Sequence, residues 1–245
     1  MKKSPLLLAI TLLACISCNQ DDEGMAFGDS LADYLQVNSF EEAAVIACAA
    51  STKTAEEILV FYYPEPGAGN PHLYISSAIE GNAAQWASYT QSITTERPFF
   101  NAYLKAFVLD PSNEQSAIVT YELDGEVKVS NPIRLKNSQK LTVWTQEVAI
   151  DQSQTLMPQF TWEDNSEGDN AIYFQVLTDA DNNLISGTYT HQNQFQFYNL
   201  NNVVLNITRQ EPTSLEAGKT YGFTLMDVSL DNWVNKVIES EFIAQ

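Results

Sequence analysis

The sequence has few of the residues that build reactive or cross-linked sites. It contains 3 cysteines, two of them within the first 18 residues, and 2 histidines. Cys48 lies in an apolar run, where a free thiol behaves as a small hydrophobic group rather than as a nucleophile. Neither His72 nor His191 has a second ligand at zinc-binding spacing. A phosphate-binding glycine loop and a Gly-x-Ser-x-Gly motif are also absent. We therefore expect a non-enzyme; a Ser-His-Asp triad, whose members meet only in space, stays open.

Basic residues are also scarce. The chain has 12 Lys and Arg against 31 Asp and Glu, for a formal net charge of -19. Nucleic-acid binding depends on Lys and Arg that neutralise phosphates, so this balance excludes a nucleic-acid partner. It also argues against a polybasic patch that binds anionic lipids. The acidity is typical of a soluble body repelled by negative surfaces, and divalent-cation binding is the alternative interpretation.

The apolar run at residues 6–17 is too short for a membrane-spanning helix, which needs about 20 residues. It follows Lys2 and Lys3, and small residues precede both Cys15 and Cys18. A charged start, a short apolar run and a small-residue cleavage point are typical of an export signal. Residues 1–17 are therefore predicted to be a signal peptide that is removed.

Two cysteines, Cys15 and Cys18, are candidates for the lipidation site. Leu12-Leu13-Ala14-Cys15 fits the aliphatic-aliphatic-small-cysteine pattern better, whereas Cys18 is followed at once by Asn19-Gln20 and by the acidic residues 21–23. The second arrangement resembles lipoproteins of the Bacteroidota. This resemblance implies acylation of Cys18 and export to the outer face of the outer membrane, where two or more acyl chains hold a protein stably. We favour Cys18 over Cys15. The mature chain then has a net charge of about -21, because both charged residues removed are lysines.

The mature chain is predicted to have three parts. Residues 18–40 are acidic and poor in β-branched residues, which predicts a lipidated tether. A single helical turn within residues 27–35 is left open as an alternative. Asp29-Ser30-Leu31 resembles the Asp-Ser/Thr-aliphatic site of O-glycosylation in the same bacterial group, so Ser30 is a candidate glycosylation site. Residues 41–140 and 141–245 are predicted to form two β-sandwich modules.

Short runs of branched and aromatic residues, separated by turn-forming residues, predict strands along the whole of both modules. In the first module the clearest pattern is Asp124-Gly125 between two alternating runs, which predicts a two-residue hairpin turn. The strands predicted in this module are 43–49, 58–63, 73–76, 104–109, 117–123 and 127–135. The fold class is therefore all-β.

The second module has a more specific pattern. Phe160 and Trp162 alternate onto one face of a strand, and Leu215 precedes Tyr221 across a Gly-containing turn. This spacing resembles a fibronectin type III domain, in which the tyrosine hydroxyl bonds back to the backbone. The resemblance covers residues 150–245 and implies two immunoglobulin-like or fibronectin type III-like sandwiches in tandem. The strands predicted here are 158–162, 171–178, 184–190, 194–200, 215–225 and 236–243.

Two acidic loops are candidate metal sites. One contains Asp164, Glu167 and Asp169, and the other contains Asp179 and Asp181. Carboxylate oxygens are ligands that calcium prefers, but neither loop has the twelve-residue calcium-loop spacing. Asp and Asn also occupy hairpin turns for backbone reasons alone. No cofactor is expected, and calcium is the one candidate ion.

Three aromatic residues, Trp233, Trp86 and Tyr62, are candidate ligand-binding residues, because rings in loops stack on sugar rings. Trp233 follows Asp231-Asn232 in the loop before the last predicted strand, which predicts a position on the rim. The alternative interpretation for all three is packing in a core or between the modules.

The sequence leaves three functions open. The favoured one is a non-catalytic binding or interaction module, held at the cell outer membrane by its lipid anchor and facing the exterior, with a protein or glycan partner. The alternative is a glycan-binding accessory lipoprotein of a polysaccharide-uptake system. A hydrolase with an unrecognised site is the second alternative. Fold alone does not select among them.

Overall fold

A computed structural model describes residues 30–78, 83–165, 168–208 and 210–245. These residues are almost entirely β-structure, which confirms the all-β sandwich prediction. The helical elements are α1 (Leu31–Gln36) and a 3₁₀ helix (Ala83–Ser88). Neither described helix has the length and apolar character needed to cross a membrane.

The predicted strands of the first half begin within four residues of an observed strand, and the predicted ranges 43–49 and 127–135 are each divided into two strands. The observed strands are β1 Phe40–Val45, β2 Ala47–Ser51, β3 Ile58–Tyr62, β4 Gly69–Ser76, β5 Thr90–Ser92, β6 Glu96–Phe99, β7 Leu104–Leu109, β8 Gln115–Leu123, β9 Glu126–Ser130 and β10 Ile133–Leu135. Sheet A has the order β1-β9-β8-β4-β5, with β10 also paired to β8, and sheet B has the order β2-β3-β7-β6. Asp124 and Gly125 have φ of 53° and 79°, which confirms the predicted hairpin turn.

The second half forms two further sheets. Its strands are β11 Val143–Thr145, β12 Ala149–Asp151, β13 Gln159–Thr161, β14 Asn170–Thr178, β15 Leu184–Thr190, β16 Gln194–Gln196, β17 Val203–Asn206, β18 Thr220–Ser229 and β19 Val234–Ile243. Sheet C has the order β11-β19-β18-β14-β15-β17, and sheet D has the order β12-β13-β16. The predicted corner contact is present: the backbone N–H of Glu216 donates to the Tyr221 hydroxyl at 2.9 Å, beside buried Leu215.

The four sheets are stacked face to face. Helix α1 covers the outer face of sheet A, and three further cores lie between sheets A and B, B and C, and C and D. Sheets B and C are therefore covered on both faces, and every residue of β3 is buried. The two sandwiches are consecutive in sequence but share a core, the junction, in which Phe61 of sheet B and Phe174 of sheet C belong to one cluster.

Residues 30–36 were predicted to be part of a tether, but in the structure they pack against the folded body. Leu31 and Leu35 of α1 are buried against sheet A, and the Leu31 N–H donates to the Tyr89 carbonyl at 2.9 Å. Residues 30–36, within the predicted range 18–40, are therefore part of the folded body. An amphipathic helical turn explains the difference, because two apolar residues four apart lie on one helix face. Residues 18–29 of the predicted tether and the signal peptide, with Cys15 and Cys18, lie outside the described residues.

The segment between the halves connects them tightly. The Ser51 N–H donates to the Thr142 hydroxyl at 3.0 Å, the Thr142 N–H donates to the Ser51 hydroxyl at 2.8 Å, and the Thr142 hydroxyl donates to the Val234 carbonyl at 2.9 Å. Ser51, Thr142 and Val234 are all buried. Buried groups that pair in this way stabilise the segment as part of the junction, not as a free linker.

Candidate functional site

Trp233 does not lie on a rim, so the structure corrects its predicted role. Its side chain has 0% exposure and belongs to the core between sheets A and B. The loop that carries it is fixed there, because Ala49 N–H donates to the Asn232 carbonyl at 2.9 Å and Arg134 N–H donates to the Asp231 carbonyl at 2.9 Å. The β18–β19 loop of the second half thus completes the first half's core, and the ring is closed to a sugar.

Tyr62 is also buried, and its predicted role as a stacking platform is wrong. Its exposure is 1%, its ring stacks on Phe107 with 5.4 Å between centroids, and its hydroxyl donates to Glu96. Trp86 differs, because it is only half-buried and makes an edge contact of 5.2 Å with Phe40 near α1. Its role in ligand binding stays a prediction.

The carboxylate of Asp179 is used by its own hairpin turn. It accepts hydrogen bonds from the backbone N–H of Asp181 at 3.0 Å and of Asn183 at 2.9 Å, and from the Asn183 side chain at 2.9 Å. Burial acts to raise the pKa of Asp179, but these hydrogen bonds outweigh it and hold the pKa below its usual value. The turn-forming interpretation of this loop therefore has direct support.

The other acidic loop is tied to sheet C. Asp164 accepts a hydrogen bond from the Tyr173 hydroxyl. Asp169 accepts one from the Asn235 side chain at 2.8 Å. Glu167 lies outside the described residues. Within the described ranges, no group of three or more His, Cys, Asp or Glu is placed to hold a metal ion. Calcium binding at these loops stays a prediction.

Ser30 caps α1. Its hydroxyl accepts from the Asp33 N–H at 3.1 Å and donates to the Asp33 carboxylate at 2.6 Å. This contact explains why the helix begins here, since a serine at the N-cap satisfies a free backbone N–H. Glycosylation of Ser30 stays a prediction. It would replace the hydroxyl hydrogen and so remove the hydrogen bond that Ser30 donates to the Asp33 carboxylate.

The two histidines and Cys48 lie in different places. His72 is half-buried on sheet A, where desolvation lowers its pKa and Tyr34 contacts its ring at 5.5 Å. His191 lies at the end of β15, with its Nδ1 3.1 Å from the Ala171 carbonyl. Cys48 lies at the junction, where burial raises the pKa of the thiol to about 12. The structure does not assemble these groups into one site.

The outer face of sheet D was not predicted as a site. Cross-strand pairing places Ala149, Thr161 and Gln194 in one row and Asp151, Gln159 and Gln196 in the next. The row between them, Ile150, Phe160 and Phe195, has the opposite orientation and packs against sheet C. The exposed rows therefore present mainly uncharged polar side chains.

Amide side chains on this face form two hydrogen-bonded groups. Gln159 donates to Gln194 at 3.2 Å, and Gln194 donates to Gln192 at 3.2 Å. Gln196 donates to Gln154 at 2.8 Å, and Asn199 donates to Gln196 at 3.2 Å. We call this surface the amide face and define it as Gln154, Gln159, Gln192, Gln194, Gln196 and Asn199. Because each amide has two donor hydrogens and two acceptor lone pairs, the contacts leave capacity for a ligand.

The amide face is electrostatically unlike the rest of the chain. No Asp or Glu occurs from residue 184 to residue 210, in a protein with 31 acidic residues. Asp151 is the one acidic residue of the two rows, and the backbone N–H of Ser153 donates to it at 2.8 Å and lowers its pKa. A groove of about 390 Å³ borders β16, and its wall contains Tyr198, the 54% exposed Leu200 and the acidic Glu211. None of the six residues of the amide face lines this groove, so it is a neighbouring feature and not part of that face.

A sequence signal for this face existed. The alternation through Phe195 and Phe197 predicts a core-facing side for this strand, and the residues between and before them, Gln194 and Gln196, must face outwards. What the alternation does not indicate is that Gln159 of β13 lies beside them, because that depends on strand pairing.

Comparison with protein-family models and with curated proteins finds no match for this chain. Its function is therefore argued from its own residues.

Proposed function

We propose that this chain is a lipid-anchored lipoprotein of the outer membrane that faces the cell exterior and serves as a non-catalytic binding module. We further propose that the amide face is its contact surface. An uncharged glycan is the partner that this surface favours, as expected for an accessory protein of polysaccharide uptake. A protein partner is the other candidate.

The observation that carries this proposal is the pair of hydrogen-bonded groups of uncharged amides on an otherwise acidic protein. Gln159 and Gln194 lie on neighbouring strands, and their amides are 3.2 Å apart. A sugar presents hydroxyl groups that both donate and accept hydrogen bonds, and an amide offers both functions without a charge to desolvate. Tyr198 and Leu200, in the neighbouring groove that also contains Glu211, offer apolar surface for the face of a sugar ring.

The order of the layers supports the same orientation. Helix α1, which follows the predicted lipid anchor in sequence, covers sheet A, and sheet D lies at the other end of the stack. Stacked sheets are about 10 Å apart, so the amide face lies about 30 Å from sheet A. A partner approaching from outside the cell would meet sheet D without contacting the membrane.

Affinity electrophoresis through neutral polysaccharides tests the binding proposal. The protein is the full chain with Cys15→Ser and Cys18→Ser, which prevents acylation. We expect retardation by at least one neutral glycan, and we expect Gln159→Ala with Gln194→Ala to weaken it about tenfold, since each lost hydrogen bond is worth about 0.5–1.5 kcal/mol. Gln91→Ala, in the exposed strand β5 of sheet A, is the matched control.

Equal retardation of the double variant and the parent would contradict the amide face as the contact surface. Binding to a protein partner and to no glycan would select the other candidate. Shortening of the glycan during incubation would instead indicate a hydrolase.

Mass spectrometry of the mature N-terminus tests the anchor. We expect an acylated Cys18, and we expect Cys18→Ser to release the protein from the membrane fraction while Cys15→Ser leaves it attached. An unmodified mature N-terminus in the native protein would contradict the anchor without affecting the glycan result.

A further inference from the structure

A cavity of about 220 Å³ lies at the junction, between sheets B and C. Strand β2 contributes one wall and strands β14 and β18 contribute the opposite wall. The main lining residues are Cys48, Phe61, Phe174, Tyr189, Met226 and Val228. The cavity is separate from the amide face, because sheet C lies between them.

The lining chemistry is apolar and uncharged. The Cys48 thiol stays protonated at neutral pH, because burial raises its pKa to about 12. Tyr189 also stays neutral, since burial raises its pKa well above the usual value. Asn131 and Asn232 supply amide groups to the lining, and no lining residue carries a charge. A charged ligand would find no partner in this cavity and would lose its hydration.

One side of the cavity is accessible from solvent. Ile46, Ala47 and Cys48 line it and are only partly buried, as is Ile172 on the opposite wall. Ile46 lies where the chain passes from β1 of sheet A to β2 of sheet B, so sheet pairing is interrupted at this point. A small molecule therefore has an entry path that does not require the two halves to separate.

The size of the cavity is that of a ligand site. Protein interiors contain few voids larger than one water molecule. An apolar cavity of about 150 Å³ in another protein stays dry and binds benzene. Ligand sites also occur preferentially at interfaces between domains.

We propose that the junction cavity binds one small, uncharged, apolar molecule with one or two rings or a chain of about ten carbon atoms. This inference goes beyond the glycan-binding proposal and does not depend on it. Occupancy fills the core that the two halves share, so the ligand stabilises the folded protein.

Methyl NMR with indole as the probe tests the proposal. The protein is the full chain with Cys15→Ser and Cys18→Ser, labelled at the methionine methyl groups. Met226 lines the cavity, whereas Met157 lies beside sheet D and serves as the internal control. We expect a saturable shift of the Met226 methyl signal, an unchanged Met157 signal and a higher melting temperature. An unshifted Met226 signal at the solubility limit of indole would overturn the proposal, as would equal shifts of both methionines.

Two comparisons make the test independent of any one variant. Ile46→Phe adds three carbon atoms to the cavity wall and should weaken indole binding at least tenfold, whereas Ala149→Leu, in exposed strand β12, should leave it unchanged. Unchanged binding in Ile46→Phe would overturn the site. If Ile46→Phe does not fold, a comparison of two ligands replaces it: indole should bind and indole-3-carboxylate should not. Equal binding of the two ligands would overturn the apolar, uncharged character of the site.

Discussion

The two faces of sheet C build two different cores from alternate residues of the same strands. Towards sheet D, Phe160 stacks on Phe223 with 4.0 Å between ring centroids and an angle of 2° between planes, and Phe195 and Phe242 lie around them. Towards sheet B, Met226 and Val228 face the cavity, and the stacked pair there is Phe174 with Tyr189, at 4.5 Å. One face is closed by aromatic contacts, and the other leaves space.

The closely packed face of sheet C, towards sheet D, contributes stability, whereas the face towards sheet B borders a cavity that has room for a ligand. Large flat rings fill the C–D core and hold sheet D, with its amide face, in a fixed position. The junction mixes aromatic rings with smaller groups such as Val228 and Met226, and it has hydrogen bonds at its margin, such as those between Ser51 and Thr142. Four predictions test whether the stability of the junction depends on its hydrogen bonds and on Trp233, and whether the stability of the C–D core depends on aromatic packing.

The largest expected difference between a variant and its control comes from the loop that reaches from sheet C into the first half. Trp233→Ala should lower the free energy of unfolding by about 4 kcal/mol, because it removes a fully buried ring and leaves a void. Urea denaturation followed by circular dichroism measures this loss. Trp86→Ala, at a half-buried position, is the control and should cost less than half as much. Equal losses in the two variants would show that the loop does not anchor the halves.

The second prediction concerns the hydrogen bonds of the junction. Thr142→Val keeps the size of the side chain but leaves the Ser51 N–H and the Val234 carbonyl unpaired, at a cost of about 2 kcal/mol. Thr161→Val, on the exposed side of sheet D, should change stability by less than about 0.5 kcal/mol. Denaturant titration of both variants measures the contrast, and a loss below 0.5 kcal/mol in Thr142→Val would contradict the anchoring role.

The third prediction compares the two faces directly. Phe160→Ala should cost about 3–5 kcal/mol, and Phe174→Ala should cost about 1 kcal/mol less, because Phe174 already borders a cavity and has fewer neighbouring atoms to lose. Thermal or denaturant unfolding of the two variants gives the difference. A larger loss in Phe174→Ala would mean that the junction is the more tightly packed face.

The smallest expected effect is the pH dependence contributed by Cys48. Its folded pKa, about 12, lies above the value of 9.0 for the free thiol, so the folded state keeps its proton longer than the unfolded state. The stabilisation is complete below pH 9 and is lost as the pH rises from there towards 12. Between pH 8 and pH 10 the parent should lose about 1 kcal/mol more than Cys48→Val. Parallel curves for the two proteins would contradict a buried thiol.

Local patterns predicted most of the strands but not their neighbours. The Asp124-Gly125 turn and the alternation of Phe160 and Trp162 depend on residues close in sequence, and the structure has both features. The continuous apolar run of β3, in contrast, is typical of a strand covered on both faces, and its meaning becomes clear only when sheet C is seen against sheet B.

The candidate site was less predictable for the same reason. Trp233 has polar neighbours in sequence, Asp231 and Asn232, which predict exposure, yet residues about 100 positions earlier cover it: Asn232 donates to the Pro132 carbonyl at 2.9 Å. The amide face depends on the pairing of β13 with β16. Long-range pairing of this kind leaves no periodic signal in either segment alone.

The burial of Trp233 in the first half also sets an order of events during synthesis. The amino-terminal sandwich lacks its largest core side chain until residue 233 has been made, which is close to the carboxyl end of the chain. A nascent chain therefore cannot complete the core of that sandwich before residue 233 has been translated.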